Sequence, residues 1–255
     1  MAKKIKVSRK KIKKPDEFQT YSDRVLKYLS ANKNVAYGVV SGIIIALLVG
    51  NLANYSIRTR RTRAEYLLAQ AFSILQTPLV DDLTSQQILK GTKTYATSRQ
   101  RNEEAISKLN EVVQKFGRGE PGLEARYRLG EVYYRDENFK QSIAAYEDFL
   151  KEFNSRKTKP EFLEYSAYLG MAKDYFALED YEKAASYFQK VTAPKKGASY
   201  EPEAMLGLAR CLVAQKNYDA AREKLTALMA SYPGTIYDQL AGLELQKIPA
   251  QKKNK

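Results

Sequence analysis

Histidine and tryptophan are absent from this sequence, and cysteine occurs once, at Cys211. Without an imidazole there is no Ser-His-Asp or Cys-His catalysis and no His-ligated zinc, and no unperturbed side chain titrates near neutral pH. One cysteine excludes an internal disulfide framework, a CxxC redox pair, a Cys-rich metal site and CxxCH haem attachment. Cys211 falls on an apolar helical stretch, where a small core residue is expected rather than a nucleophile. The phosphate-binding GxxxxGK[ST], the dinucleotide GxGxxG and the nucleophile elbow GxSxG are missing too. Paired acids do occur, at Asp81-Asp82, Glu103-Glu104 and Glu179-Asp180. They sit in loops or on solvent faces, where such pairs solvate the surface. The expectation is therefore no catalytic residue, no cofactor and no metal: not an enzyme. At 255 residues the chain can still bury a sizeable core without staples.

What is present in excess is positive charge, +14 in all. Residues 1–34 hold eleven Lys/Arg against three acids, and Arg58, Arg60, Arg61 and Arg63 follow with no acid among them. From residue 64 onward, 28 basic side chains nearly balance 26 acidic ones. The excess thus brackets one segment, the 24 uncharged residues between Lys33 and Arg58. As a helix these span roughly 36 Å, enough to cross a hydrocarbon core of about 30 Å. Tyr37 and Tyr55 fall near its ends, where amphipathic rings favour the interface. We expect a transmembrane anchor over residues 35–57. The 34-residue leader, the long apolar run and the lack of a small-x-small cleavage site argue against a cleaved signal peptide. The heavier basic flank is N-terminal, which puts the N-terminus in the cytoplasm; the four arginines after the span oppose that assignment.

Within the anchor, Gly38, Gly42, Ala46 and Gly50 recur every four residues. Such a ridge lets another helix approach, through a membrane partner or self-association into a homo-oligomer, or it reflects ordinary glycine enrichment of membrane helices. Ahead of the anchor, the basic run 3–14 and Pro15 precede Phe18, Tyr21, Val25 and Leu29 at helical spacing. Residues 1–34 read as a basic cytoplasmic leader with a short amphipathic helix on the bilayer surface. The arm has no interleaved aromatics, so a lipid role is expected ahead of contact with nucleic acid.

Beyond the anchor the pattern becomes helical and repeats. Three stretches align on Asn138-Phe139, Asp180-Tyr181 and Asn217-Tyr218. Three residues after each aromatic stand Ser142, Ala184 and Ala221, and four further on Tyr146, Phe188 and Leu225. Ten before it stand Leu129, Met171 and Leu208, each followed by Gly130, Ala172 or Ala209; six before it stand Tyr133, Tyr175 and Leu212. Small positions let paired helices approach, and large ones fill the groove between them. Asn138, Asp180 and Asn217 sit where the second helix needs an N-cap, with Gln141 at capping-box spacing. The pattern resembles the tetratricopeptide repeat, although Arg126, Tyr168 and Met205 replace the consensus Trp and the intervals of 42 and 37 residues exceed the usual 34. This resemblance implies an all-α chain, a single transmembrane helix followed by a tetratricopeptide-like α-solenoid. Residues 58–247 would hold it: a divergent first repeat at 64–117 with a polar insertion at 77–98, repeats at 123–156, 161–194 and 201–234, and a capping helix at 235–247. A basic tail, 248–255, would close the chain.

In such solenoids the first helix of each pair lines a groove for an extended peptide or a helix. Counting from the repeat positions places Tyr127, Glu131, Tyr134, Arg135, Lys173, Phe176, Arg210 and Val213 there, either as a protein-binding groove or, for the aromatics, as cover for the interior. The layout of basic leader, glycine-ridged anchor and divergent first repeat resembles the bacterial inner-membrane family of ancillary SecYEG translocon subunits. Tyr232-Pro233-Gly234 before a last helix is similar to envelope repeat proteins such as the cell-division coordinator and outer-membrane assembly lipoproteins. The resemblance implies an inner-membrane protein with a periplasmic repeat domain, whose partners are the lipid bilayer, translocon subunits, and periplasmic chaperones or clients. The alternative is a scaffold or coordinator of an envelope complex serving cell division, secretion or outer-membrane assembly.

Overall fold

A computed structural model describes residues 17–82, 93–157, 161–192 and 199–249. The basic run at 3–14, residues 83–92 of the polar insertion and the tail beyond residue 249 lie outside them. The chain divides into two units at Thr59/Arg60. In the first, α1 (Glu17–Ala31) is followed after Asn32 by α2 (Lys33–Gln76). The Asn32 N–H donates to Tyr28 O and the Ala36 N–H to Asn32 O, so hydrogen bonding continues through the junction. α2 is long and apolar enough to cross a membrane, and none of its apolar window is buried. Ile45, Leu47 and Leu52 are among its exposed side chains. The sequence reading ends the span at residue 57 and starts a new helix at 64, yet α2 runs unbroken to Gln76. No glycine or proline lies between residues 51 and 76 to stop it.

The second unit is a succession of helix pairs in which each helix packs on the next. The end of α2 pairs with α3 (Ser98–Phe116); then come α4 (Glu120–Arg135) with α5 (Phe139–Asn154), α6 (Glu161–Ala177) with α7 (Tyr181–Thr192), α8 (Glu201–Ala214) with α9 (Tyr218–Ser231), and finally α10 (Ile236–Lys247). The first helices α4, α6, α8 and α10 also touch one another, whereas the second helices make no comparable contact among themselves. That asymmetry closes the stack on the side of the first helices. In the first pair, Ala71 packs with Leu109, Val112, Ala125 and Leu129. Leu79 and Tyr95 meet in an isolated parallel bridge, and Val80–Asp82 forms one 3-10 turn.

The core follows the repeat positions. Tyr146 is buried between two first helices, and a Cβ added at Gly130 or Gly170 would lie 2.6 Å from its ring. Arg126, in the consensus Trp place, ties the α3–α4 loop by donating to Gly117 O and to Asp148 instead of filling space with a ring. Cys211 is fully buried, and burial pushes its thiol up to about 12, as a core cysteine requires.

The turns inside the pairs share one geometry. Glu137, Glu179 and Lys216 adopt φ of 59°, 62° and 62°. Their N–H groups bond Tyr134 O, Phe176 O and Val213 O, and the next N–H groups, of Asn138, Asp180 and Asn217, reach Tyr133 O, Tyr175 O and Leu212 O. This is the Schellman pattern, repeated three times without glycine. Only Asp180 among the three expected caps uses its side chain, accepting from the Lys183 N–H at 3.2 Å; Asn138 and Asn217 occupy the cap position without a side-chain bond. All three share the backbone Schellman bonds, so the turn forms with or without a side-chain cap.

Candidate functional site

Glu203, Leu206, Gly207 and Arg210 recur at i, i+3, i+4 and i+7 along α8, one stripe of the helix. Lys173, Phe176 and Ala177 form the matching stripe on α6, Tyr134 comes from the last turn of α4, and Phe188 of α7 lies beneath. These residues enclose a pocket of about 220 Å³ on the side of the first helices. Gly207 sets its floor: a Cβ there would lie 2.3 Å from the Phe188 ring, so the glycine lets the buried ring pack directly against the α8 backbone. Tyr134 stacks at a tilt on Phe139, 5.8 Å between centroids, and Phe176 meets Tyr181 edge-on at 5.3 Å. Both rings are thereby held in place before any ligand arrives.

Charge is arranged at the rim. Lys173 Nζ pairs with Glu203 Oε1 across from α6 to α8 at 2.5 Å. Arg210 Nε donates to Glu244 Oε1 of α10 at 2.9 Å, and Lys247 Nζ reaches the other oxygen of Glu244 at 3.2 Å. Among the described residues no group of three His, Cys, Asp or Glu is placed to hold a metal ion.

Of the eight residues assigned to the groove by counting, four line this pocket: Tyr134, Lys173, Phe176 and Arg210. The others have different surroundings. Tyr127 is wedged edge-on against Tyr146 and Phe149 at 5.7 and 5.5 Å, with its hydroxyl in a close hydrogen bond to Ser166, and burial pushes that hydroxyl up to about 12. Glu131 is taken by Arg128 at 2.7 Å, Val213 packs into the core of the last pairs, and Arg135 is exposed on the last turn of α4. Sequence counting missed Phe188, Glu203, Leu206 and Gly207, although the i, i+3, i+4, i+7 stripe on α8 was there to find. On the anchor, a Cβ at Gly38, Gly42 or Gly50 would meet nothing within 4 Å, and Ala46 is exposed.

A second aromatic surface on α6 and α7 is already covered by cations. Tyr175 and Tyr187 stack at 5.5 Å, while Lys190 Nζ lies 4.2 Å from the Tyr187 centroid and 4.9 Å from that of Tyr168. With lysines over these faces, the cluster is not an open stacking platform for bases.

Two family models described as tetratricopeptide repeat match the chain, over residues 95–157 and 167–243. The helical region has the tetratricopeptide-repeat fold. Solved structures similar to this tetratricopeptide domain include three at low identity. The APC/C hetero-tetramer Cut9-Hcn1 is 14% identical with a TM-score of 0.49, covering 59% of this chain and 27% of that one. YrrB, a TPR protein with an unusual peptide-binding site, is 18% identical with a TM-score of 0.43, covering 59% and 71%. The STAND signal-transduction ATPase with a tetratricopeptide repeat sensor from Pyrococcus horikoshii is 25% identical with a TM-score of 0.49, covering 60% and 24%. The chain thus spans about a quarter of the length of the first and third. No curated protein matches the chain. Tetratricopeptide repeats bind proteins or peptides, which is the coarse function of this domain.

Proposed function

We propose that this protein is a membrane-anchored adaptor that holds extended polypeptide segments in the pocket between α6 and α8. The preformed opening over Phe188, walled by Phe176 and Tyr134, carries the reading. It offers apolar area to a side chain and paired charges to the backbone beside it, the combination that peptide grooves use. We further assign it to a protein translocon of a bacterial inner membrane, with the N-terminus in the cytoplasm and the repeats in the periplasm, handing emerging chains to chaperones. Support for that assignment is the layout: eleven basic residues ahead of an uncharged 24-residue stretch, four after it, then a nearly neutral repeat domain.

Two measurements test this on the whole chain. A phosphatase fused at the C-terminus should be active in the periplasm, and activity of a cytoplasm-only reporter at the same position would overturn the compartment. A photo-crosslinking residue at Phe176 should capture many different polypeptides. Capture of one fixed partner would replace the client-holding reading with the envelope scaffold.

A further inference from the structure

We propose that the pocket selects a segment in which a large apolar side chain stands next to an acidic one, the apolar group between the Phe176 and Tyr134 rings and the acid on Arg210. This rests on the peptide-holding reading and adds the class of peptide. The apolar half follows from the floor and walls: Phe188 and Leu206 form a buried floor, and the half-buried Phe176 and exposed Tyr134 rings wall the opening. A side chain without substantial apolar area would leave those rings in water.

The acidic half follows from counting charges at the rim. Lys173 is neutralised by Glu203. Arg210 and Lys247 share the single carboxylate of Glu244, whose side chain is only 10% exposed while that of Arg210 is 41% exposed. One positive charge is left over at the Arg210 end. Glu244 engages Arg210 through Nε, and the two terminal guanidinium nitrogens make no hydrogen bond among the described residues. A guanidinium held at one edge presents its outer pair of donors in the geometry that matches a carboxylate. A lysine in the same place on the ligand meets that charge as a repulsion. At the opposite rim the Lys173–Glu203 pair carries no net charge, so the recognition has a direction: apolar between α6 and α8, acidic toward α10.

The test uses the full chain in detergent micelles and three short fluorescent Gly/Ser peptides carrying Phe-Asp, Phe-Lys or Ala-Asp at the centre, read by anisotropy. Phe-Asp should bind about ten-fold tighter than either of the others. Arg210→Gln should bring Phe-Asp down to the level of Phe-Lys, while Arg222→Gln, the same charge change on α9, should leave the preference intact. Circular dichroism confirms that both variants fold. Equal affinity for Phe-Asp and Phe-Lys, or a preference that survives in Arg210→Gln, overturns the proposal. If none of the peptides binds while Phe176 still crosslinks to many polypeptides, this inference fails and the peptide-holding reading stands.

Discussion

Asp174 is fully buried at the joint between two repeats, and its Oδ1 has no hydrogen-bond partner among the described residues. Ser142 Oγ lies 2.7 Å from Asp174 Oδ2 and 2.9 Å from Gly130 O. A hydroxyl carries one proton, and both neighbours are acceptors when the acid is ionised. Both bonds form together only if Asp174 is protonated, donating to Ser142 while Ser142 donates to Gly130. Burial pushes the Asp174 carboxyl up to about 7, opposed in part because the Ser142 hydroxyl can instead donate to the ionised acid. Because the folded value lies above the unfolded one, the folded chain holds its proton while the unfolded chain releases it. The stabilisation is complete below about pH 4, declines as pH rises, and is gone above about pH 7. Its full size is about 2–4 kcal/mol. Denaturant unfolding of the whole chain should therefore show Asp174→Asn matching the parent near pH 4 and exceeding it near pH 8. A difference that does not change with pH would show that Asp174 ionises as freely in the fold as outside it. Nothing in the sequence marked this residue, because its burial depends on which second helix of the preceding pair covers it.

The helix pairs show where sequence reasoning reaches and where it stops. Periodicity located the pairs from α4 to α9 and put Tyr134, Lys173, Phe176 and Arg210 on the first-helix side, because repeat position fixes the angle of a residue around its own helix. The same counting also chose Tyr127 and Val213, which are packed inside. Angle alone does not reveal what a neighbouring helix covers, and intervals of 42 and 37 residues change that cover from pair to pair. In two of the three turns, at Asn138 and Asn217, the expected side-chain cap does not form, and the feature common to all three is the positive φ of the residue before. An L-residue in that conformation costs about 1–2 kcal/mol, of which glycine would recover part after its own entropy loss. Glu179→Gly should raise stability by about 0.5–1 kcal/mol, seen as a higher denaturation midpoint at unchanged slope, and a lower midpoint would argue against the turn geometry. Gly170→Ala should act oppositely. Its methyl would meet the Tyr146 ring from the side opposite Gly130, and overpacking of this kind costs about 1–3 kcal/mol. A neutral result would mean that Tyr146 has room to move.

For the whole molecule, the charge excess is a property of the two flanks of one uncharged stretch rather than of the repeat domain. The repeat domain from residue 64 is nearly neutral, and the basic residues gather on either side of an uncharged stretch. Two substitutions in that stretch separate its duties. Ile45→Arg divides the 24 uncharged residues into runs of 11 and 12, each well short of the roughly 20 a helix needs to cross a bilayer. The arginine itself costs about 2.5–3.5 kcal/mol at the membrane centre. The variant should move from the membrane pellet to the supernatant on alkaline carbonate extraction, and retention in the pellet would argue that the stretch is not the anchor. Gly42→Leu leaves the run apolar, and a Cβ at Gly42 meets nothing within 4 Å among the described residues. That variant should stay in the pellet. If the ridge packs against another helix, crosslinking in the membrane falls for Gly42→Leu; unchanged yields would mean that the glycines serve no packing role. Insertion depends on the summed hydrophobicity of the stretch and packing on one stripe of it, so a variant that loses one and keeps the other tells the two apart.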